Sequence, residues 1–267
     1  MSDLKQDGML VKLGEEGPLE ENKEMRISLQ LARGRLYDIL ARAFAYPWNR
    51  KFFRPKKLLE PMDVILVDEN DWESLRVIIK GLGEYFPRMA VKQVQSEYVR
   101  VFGHAVSQEC PPYEMQYGTE GGVNSQTDVL VQVGGFYDTF GFQIPEKGPT
   151  RDRIDHISIE MQFMSFCCYR EAYGIEHDHE ERQISVIRSG QKKFIRNHLG
   201  RWVPLFTLFA ARKVKKSLFG IIWVGGFHYL LFLLRGKPKK VYIRIYLKFS
   251  RYSLRMKFPY WTLSPLR

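Results

Sequence analysis

Not one aspartate or glutamate occurs after Glu181, although 86 residues follow. Residues 1–181 hold 21 Lys and Arg against 30 Asp and Glu, a net of −9. Residues 182–267 hold 20 Lys and Arg and no acid, so the overall +11 hides two parts that need separate readings. Cysteine is scarce as well. Cys110, Cys167 and Cys168 are odd in number and lack metal-type spacing, which excludes a disulfide scaffold and fits a reducing compartment. The first twenty residues lack an apolar stretch and a twin arginine, so the chain is expected to be cytoplasmic. A phosphate-cradling glycine loop, a His-Glu-x-x-His helix and a nucleophile elbow are all missing, which argues against an enzyme. Strict apolar–polar alternation is missing before residue 200, which argues against strands there.

What is present is helical spacing. Leu29, Leu36, Leu40 and Phe44 form one stripe in a helix expected from Asn22 to Tyr46 and ended by Pro47. Residues 49–71 read as a connection, and Asp71–Phe86 as a short helix closed by Pro87. Val94, Tyr98, Val101 and Phe102 give a further face ended by Gly103. "CPPYEMQYGTEGG" (Cys110 to Gly122) has the composition of a surface loop. Val129, Val133, Phe136, Tyr137 and Phe140 repeat the stripe with Gly141 as a C-cap. Ile157, Met161, Met164 and Cys168 repeat it again, and a last helix is expected over Asp178–Leu199. The expectation is an all-α bundle, divided into a loose arm (1–21), a helical domain (22–206) and an atypical tail (207–267).

"TRDRIDHISIEMQFM" (Thr150 to Met164) crowds two arginines, two aspartates and a histidine before an apolar helix. Asp152 and Asp155 sit where a helix begins and can cap its orphan N–H groups, a role worth about 1 kcal/mol. That leaves Arg151, Arg153 and His156 unexplained, so a binding role stands beside the capping one. No nucleophile or oxyanion pattern accompanies the cluster, which disfavours catalysis. His177-Asp178-His179 reads as a solvated turn rather than a metal site, and Cys167-Cys168 as buried packing.

Six segments then carry a resemblance: "RGRLYDILARAFAYP" (Arg33 to Pro47), "EYVRVFGH" (Glu97 to His104), "CPPYEMQYG" (Cys110 to Gly118), "GGFYDTFGF" (Gly134 to Phe142), "DRIDHISIEMQFMSF" (Asp152 to Phe166) and "FIRNHLGRWVPLF" (Phe194 to Phe206). In this order they resemble the redox-enzyme maturation chaperones of the TorD/DmsD/NarJ type, closest to those serving type II enzymes of the dimethyl sulfoxide reductase family. The resemblance covers roughly residues 25–206. It implies an all-helical TorD-like bundle that is not an enzyme and binds no cofactor stably. Its partner would be an apo molybdoenzyme catalytic subunit, often held through a twin-arginine signal peptide until the molybdopterin guanine dinucleotide cofactor enters. In the family's signature, Glu-x-Pro-Asp-His or Glu-Arg-Pro-Asp-His, Asp152 stands for the glutamate, Arg153, Asp155 and His156 match, and Ile154 stands where proline is usual. The site implied has Asp152, Arg153, Asp155 and His156 at its polar end, with Tyr113, Glu114, Tyr117, Phe136 and Tyr137 as wall. The −9 balance suits a basic ligand, and a nucleic-acid partner is not expected.

The tail departs from that pattern. Leu218–Leu234 are seventeen uncharged residues between Lys215-Lys216 and Arg235, the bare minimum for a bilayer span, and Val241–Phe249 alternate like a strand. A tail attached to a membrane would make the chain an anchoring protein instead, and basic aromatic sequence also suits nucleic acid. Total loss of carboxylates fits a frame change best. Translating the other two frames downstream of about codon 205 should then recover an acidic amphipathic helix; open frames without one would show the tail to be the native sequence.

Overall fold

The computed structural model describes residues 9–13, 23–48, 64–67, 90–103, 110–117, 122–144, 152–214 and 241–245. The helices are α1 (Lys23–Phe44), α2 (Val91–Phe102), α3 (Gly122–Phe140), α4 (Ile157–Glu176), α5 (Glu181–Phe194) and α6 (Gly200–Val214). A 3-10 turn spans Glu114–Tyr117, and a π turn at Ile195–Leu199 joins α5 to α6. The expected helix Asp71–Phe86 and the apolar run Leu218–Leu234 lie outside the described residues. No helix among the described residues is long and apolar enough to cross a membrane.

The chain is all-helical in its body, as expected. The reading that strands are absent before residue 200 needs correction. Met9–Leu13 (β1) and Val64–Val67 (β2) both pair antiparallel with Val241–Ile245 (β3), which is the central strand of a small sheet. Segments of five and four residues (MLVKL and VILV) are too short for periodicity to separate strand from helix. The alternation at Val241 did predict a strand.

α4 is the hub. Apolar side chains surround it, so Ile157, Met161, Phe163, Met164, Cys167 and Cys168 are all buried, as a helix apolar on every side must be. α1 crosses it closely because Gly34 has no side chain there. The Tyr169 ring lies 3.0 Å from where a Cβ on Gly34 would stand, and Ser165 Oγ donates to Gly34 O at 2.8 Å. α5 is tied to α4 by a buried carboxylate: Glu171 accepts from Arg188 Nε (2.9 Å) and Gln191 Nε2 (2.7 Å). Phe163 touches the rings of Phe136, Tyr137, Phe140, Phe142 and Phe194, so one side chain from α4 organises the aromatic layer beneath α3 and α5.

Helix ends follow their local chemistry where glycine decides. Gly103 (φ 74°) and Gly141 (φ 67°) both take a positive φ, which glycine allows, where α2 and α3 end. The expected helix Asp178–Leu199 needs correction, because Asp178 (φ 53°) and His179 form the preceding turn and the last residues widen into the π turn. α6 continues through the boundary expected at residue 206. Trp202, Val203, Phe206, Thr207 and Ala210 form its inward face.

Gly190 supplies a test of this packing. An exposed mid-helix Gly→Ala change normally gains stability, by about 1 kcal/mol. Here a Cβ would stand 2.1 Å from Phe140 Cζ. Gly190→Ala should therefore lose about 1–3 kcal/mol in urea unfolding through overpacking, whereas a gain would show that the Phe140 ring does not sit there.

Candidate functional site

The N-terminus of α4 is buried, so its orphan N–H groups need partners inside the protein. His156 is the N-cap, and its Nδ1 accepts from Ser158 N at 3.1 Å. With Nδ1 accepting, the ring proton sits on Nε2, which faces the Tyr98 hydroxyl at 3.4 Å. That hydroxyl donates onward to Phe44 O at 3.1 Å. Burial lowers the pKa of His156 and raises that of Tyr98 well above 10, so the chain of donors is held in one protonation state. The aspartates do not cap α4 directly, which corrects the sequence expectation.

Asp155 is fully buried and serves the neighbouring loop instead. Its two oxygens accept from Arg153 Nε (2.9 Å) and Nη2 (2.6 Å), and Oδ2 also accepts from Met115 N at 3.1 Å. Two backbone bonds run alongside: Glu114 N donates to Asp155 O (3.0 Å) and Ile157 N to Pro112 O (2.9 Å). Residues 110–117 are thereby stitched to the start of α4 as an antiparallel bridge between Tyr113 and His156. The surface-loop expectation for Cys110–Gly122 is thus corrected at its first half, since Cys110, Pro111, Pro112 and Glu114 are buried. Ile154, standing where proline is usual, is restrained by another means. The Tyr137 hydroxyl donates to its carbonyl at 2.9 Å.

A second polar set lies beneath. Glu114 faces His198 Nδ1 at 3.0 and 3.1 Å, and Trp202 Nε1 donates to Glu160 Oε2 at 3.2 Å. The π turn places His198 and Trp202 on the same inward side. Glu160 is fully buried and its Oε1 meets no donor. Desolvation, and then the nearby Glu114 charge, push its pKa well above 4.5, so Glu160 holds a proton that can point toward Glu114.

The nine residues expected at the site therefore divide. Asp155, His156, Glu114 and Tyr137 are buried and engaged with the protein itself. Phe136 packs against Phe163, Phe194 and His198, and Tyr117 against Trp202, Phe206 and Phe209. Arg153, Asp152 and Tyr113 stay half-exposed at the surface, with the Arg153 guanidinium 4.5 Å above the Tyr113 ring. Tyr98, Glu160, His198 and Trp202 complete the arrangement without having been singled out. His198 and Trp202 sit in the motif Phe194–Phe206, and Glu160 is an acid among the apolar residues of the first two turns of α4, which was the available signal. His177 stacks on Tyr173 and Asp178 pairs with Lys23, so that turn is engaged in surface contacts. Among the described residues no group of three or more His, Cys, Asp or Glu could hold a metal ion.

The profile of the family described as nitrate reductase delta subunit matches residues 68–208. A perchlorate reductase assembly chaperone protein from Dechloromonas aromatica (strain RCB) is 25% identical over 203 residues, covering 73% of this chain and 84% of that protein.

The two buried groups give opposite pH dependences. Unfolded His156 takes a proton below about pH 6.5 while the folded ring resists it, so its contribution is lost as pH falls through that range. Folded Glu160 keeps a proton that the unfolded chain releases above about pH 4.5, so stability falls as pH rises from there. Urea unfolding of Glu160→Gln, whose amide mimics the protonated acid, should show less loss between pH 5 and about 8 than the unsubstituted chain. His156→Gln should flatten the acid side instead.

Proposed function

Because the chain belongs to the nitrate reductase delta subunit family, we propose that it is a cytoplasmic assembly chaperone for a molybdopterin oxidoreductase. It binds the apo catalytic subunit through the twin-arginine leader and holds it until cofactor is inserted and export can begin. The molybdopterin guanine dinucleotide belongs to the client, and the chaperone itself binds no cofactor stably. The match over residues 68–208 carries this reading, and the likeness to a perchlorate reductase assembly chaperone supports it.

The geometry suits holding rather than converting. Among the described residues at the start of α4, Asp155 and His156 are buried and engaged with the protein, and the half-exposed remainder offers an arginine, an aspartate and a tyrosine ring. In this reading Asp155 and His156 are positioning residues: they fix the loop and the turn that present Asp152, Arg153 and Tyr113 to the client. Glu114, Tyr117, Phe136 and Tyr137 hold the wall behind them.

Titrating a twin-arginine leader peptide against the full chain tests this. Asp155→Ala/His156→Ala should bind at least about tenfold more weakly, a loss of about 1.4 kcal/mol. It should also melt at a lower temperature, so binding is measured well below its transition. Unchanged affinity would remove both residues from any part in capture.

A further inference from the structure

α6 gives one side to the core and leaves another uncovered. Arg201, Leu205, Leu208 and Arg212 recur at steps of four, three and four, so they stand in one stripe along the helix. All four are exposed, the leucines at 43% and 49%. Single apolar residues on a surface are ordinary, but two adjoining leucines between two arginines form a patch. Because no acid follows Glu181, α6 itself offers those arginines no carboxylate.

α3 carries the complementary stripe. Asp128, Val131, Gly135 and Asp138 recur at steps of three, four and three, and all are exposed, Val131 at 68%. A helix rises about 1.5 Å per residue, so the aspartates stand about 15 Å apart along α3 and the arginines about 16.5 Å apart along α6. Each stripe therefore ends in two like charges, of opposite sign to those of the other. Between the aspartates Gly135 leaves a notch, since nothing lies within 4 Å of where its Cβ would stand. A bulky side chain from outside can enter there.

We propose that the α6 stripe of one copy of this chain docks on the α3 stripe of a second copy. An arginine meets an aspartate at both ends whether the two helices run parallel or antiparallel, and Leu205 and Leu208 cover Val131 and Gly135. The arginine–carboxylate pairs fix the register while the leucines leave water. An anionic membrane suits α6 less well. Trp202, Val203, Phe206 and Ala210 are already buried in the core, so two leucines alone would have to enter the lipid, too narrow a face for a helix lying in a bilayer surface. The contact is small and charged, so the association is weak, reversible and screened by salt. None of its residues belongs to the charged turn before α4, so it does not depend on client capture.

Sedimentation velocity of the full chain over about 1–100 μM should show reversible association that fades at about 1 M salt, where charges act over only about 3 Å. Arg201→Glu/Arg212→Glu and Asp128→Lys/Asp138→Lys should each weaken it at least about tenfold. Mixed in equal amounts the two variants should associate as strongly as the unsubstituted chain, because each reversed stripe then finds its opposite in the other variant. Leu205→Ser/Leu208→Ser, a change at two exposed positions without charge, should weaken association as well. Circular dichroism melting should be unchanged in all three, since every altered side chain is exposed. Undiminished association in any of the three variants overturns the contact, as does a mixture of equally stable charge variants that fails to recover. A full chain that sediments as a monomer throughout also overturns it. Pelleting of that monomer with phosphatidylserine vesicles, lost in Arg201→Glu/Arg212→Glu, would assign the α6 stripe to a lipid surface instead.

Discussion

A helix that starts inside a protein must have its first N–H groups met by the protein, because water cannot reach them. α4 imposes that constraint here, and the rest of the site is arranged around it. His156 turns its ring back onto Ser158 N, Pro112 supplies a carbonyl to Ile157 N, and the price of bringing residues 110–117 close is met by Asp155 accepting Met115 N. Asp155 is tolerable at zero exposure only because Arg153 grips both its oxygens. Removing either member of the pair would strand a charge rather than merely loosen a contact.

A consequence is that charge at this site is layered. The inner layer of Glu114, Glu160, His198 and Trp202 is enclosed by aromatic rings and fixes the joint between α5 and α6. The middle layer of Asp155 and His156 joins the loop to α4. Only the outer layer faces solvent. A surface built this way has few adjustable parts, since its half-exposed side chains are held by others that are buried. That suits a protein whose task is to hold a partner rather than transform it.

Much of this was legible in the residues themselves. The stripe Val94, Tyr98, Val101 and Phe102 is the buried face of α2, and Gly141 ends α3 in the expected conformation. The cluster before α4 was visible as a cluster, but not which of its members would be buried. A carboxylate capping a helix, gripping an arginine or receiving a ligand looks identical in sequence. The partners that decide lie far away along the chain, Met115 being 40 residues from Asp155 and His198 being 84 from Glu114. Cys110-Pro111-Pro112 misled for the opposite reason. Turn-forming residues usually mark exposed chain, yet here the turn is drawn inward because its carbonyl is wanted at the start of α4.

The π turn carries a last implication, for insertions and deletions. An α-helix advances about 100° per residue, and a π turn holds one residue more than the regular ladder would. Losing any single residue between Ile195 and Leu199 would let α5 and α6 fuse into one regular rod. Because the lost residue is the extra one, Trp202, Val203, Phe206 and Ala210 would still face the core, whereas a second loss would swing them, with the outward-facing Arg201 and Leu205, by about 100°. This short segment can therefore give up one residue, but not two, without turning the inward face of α6 away from the core.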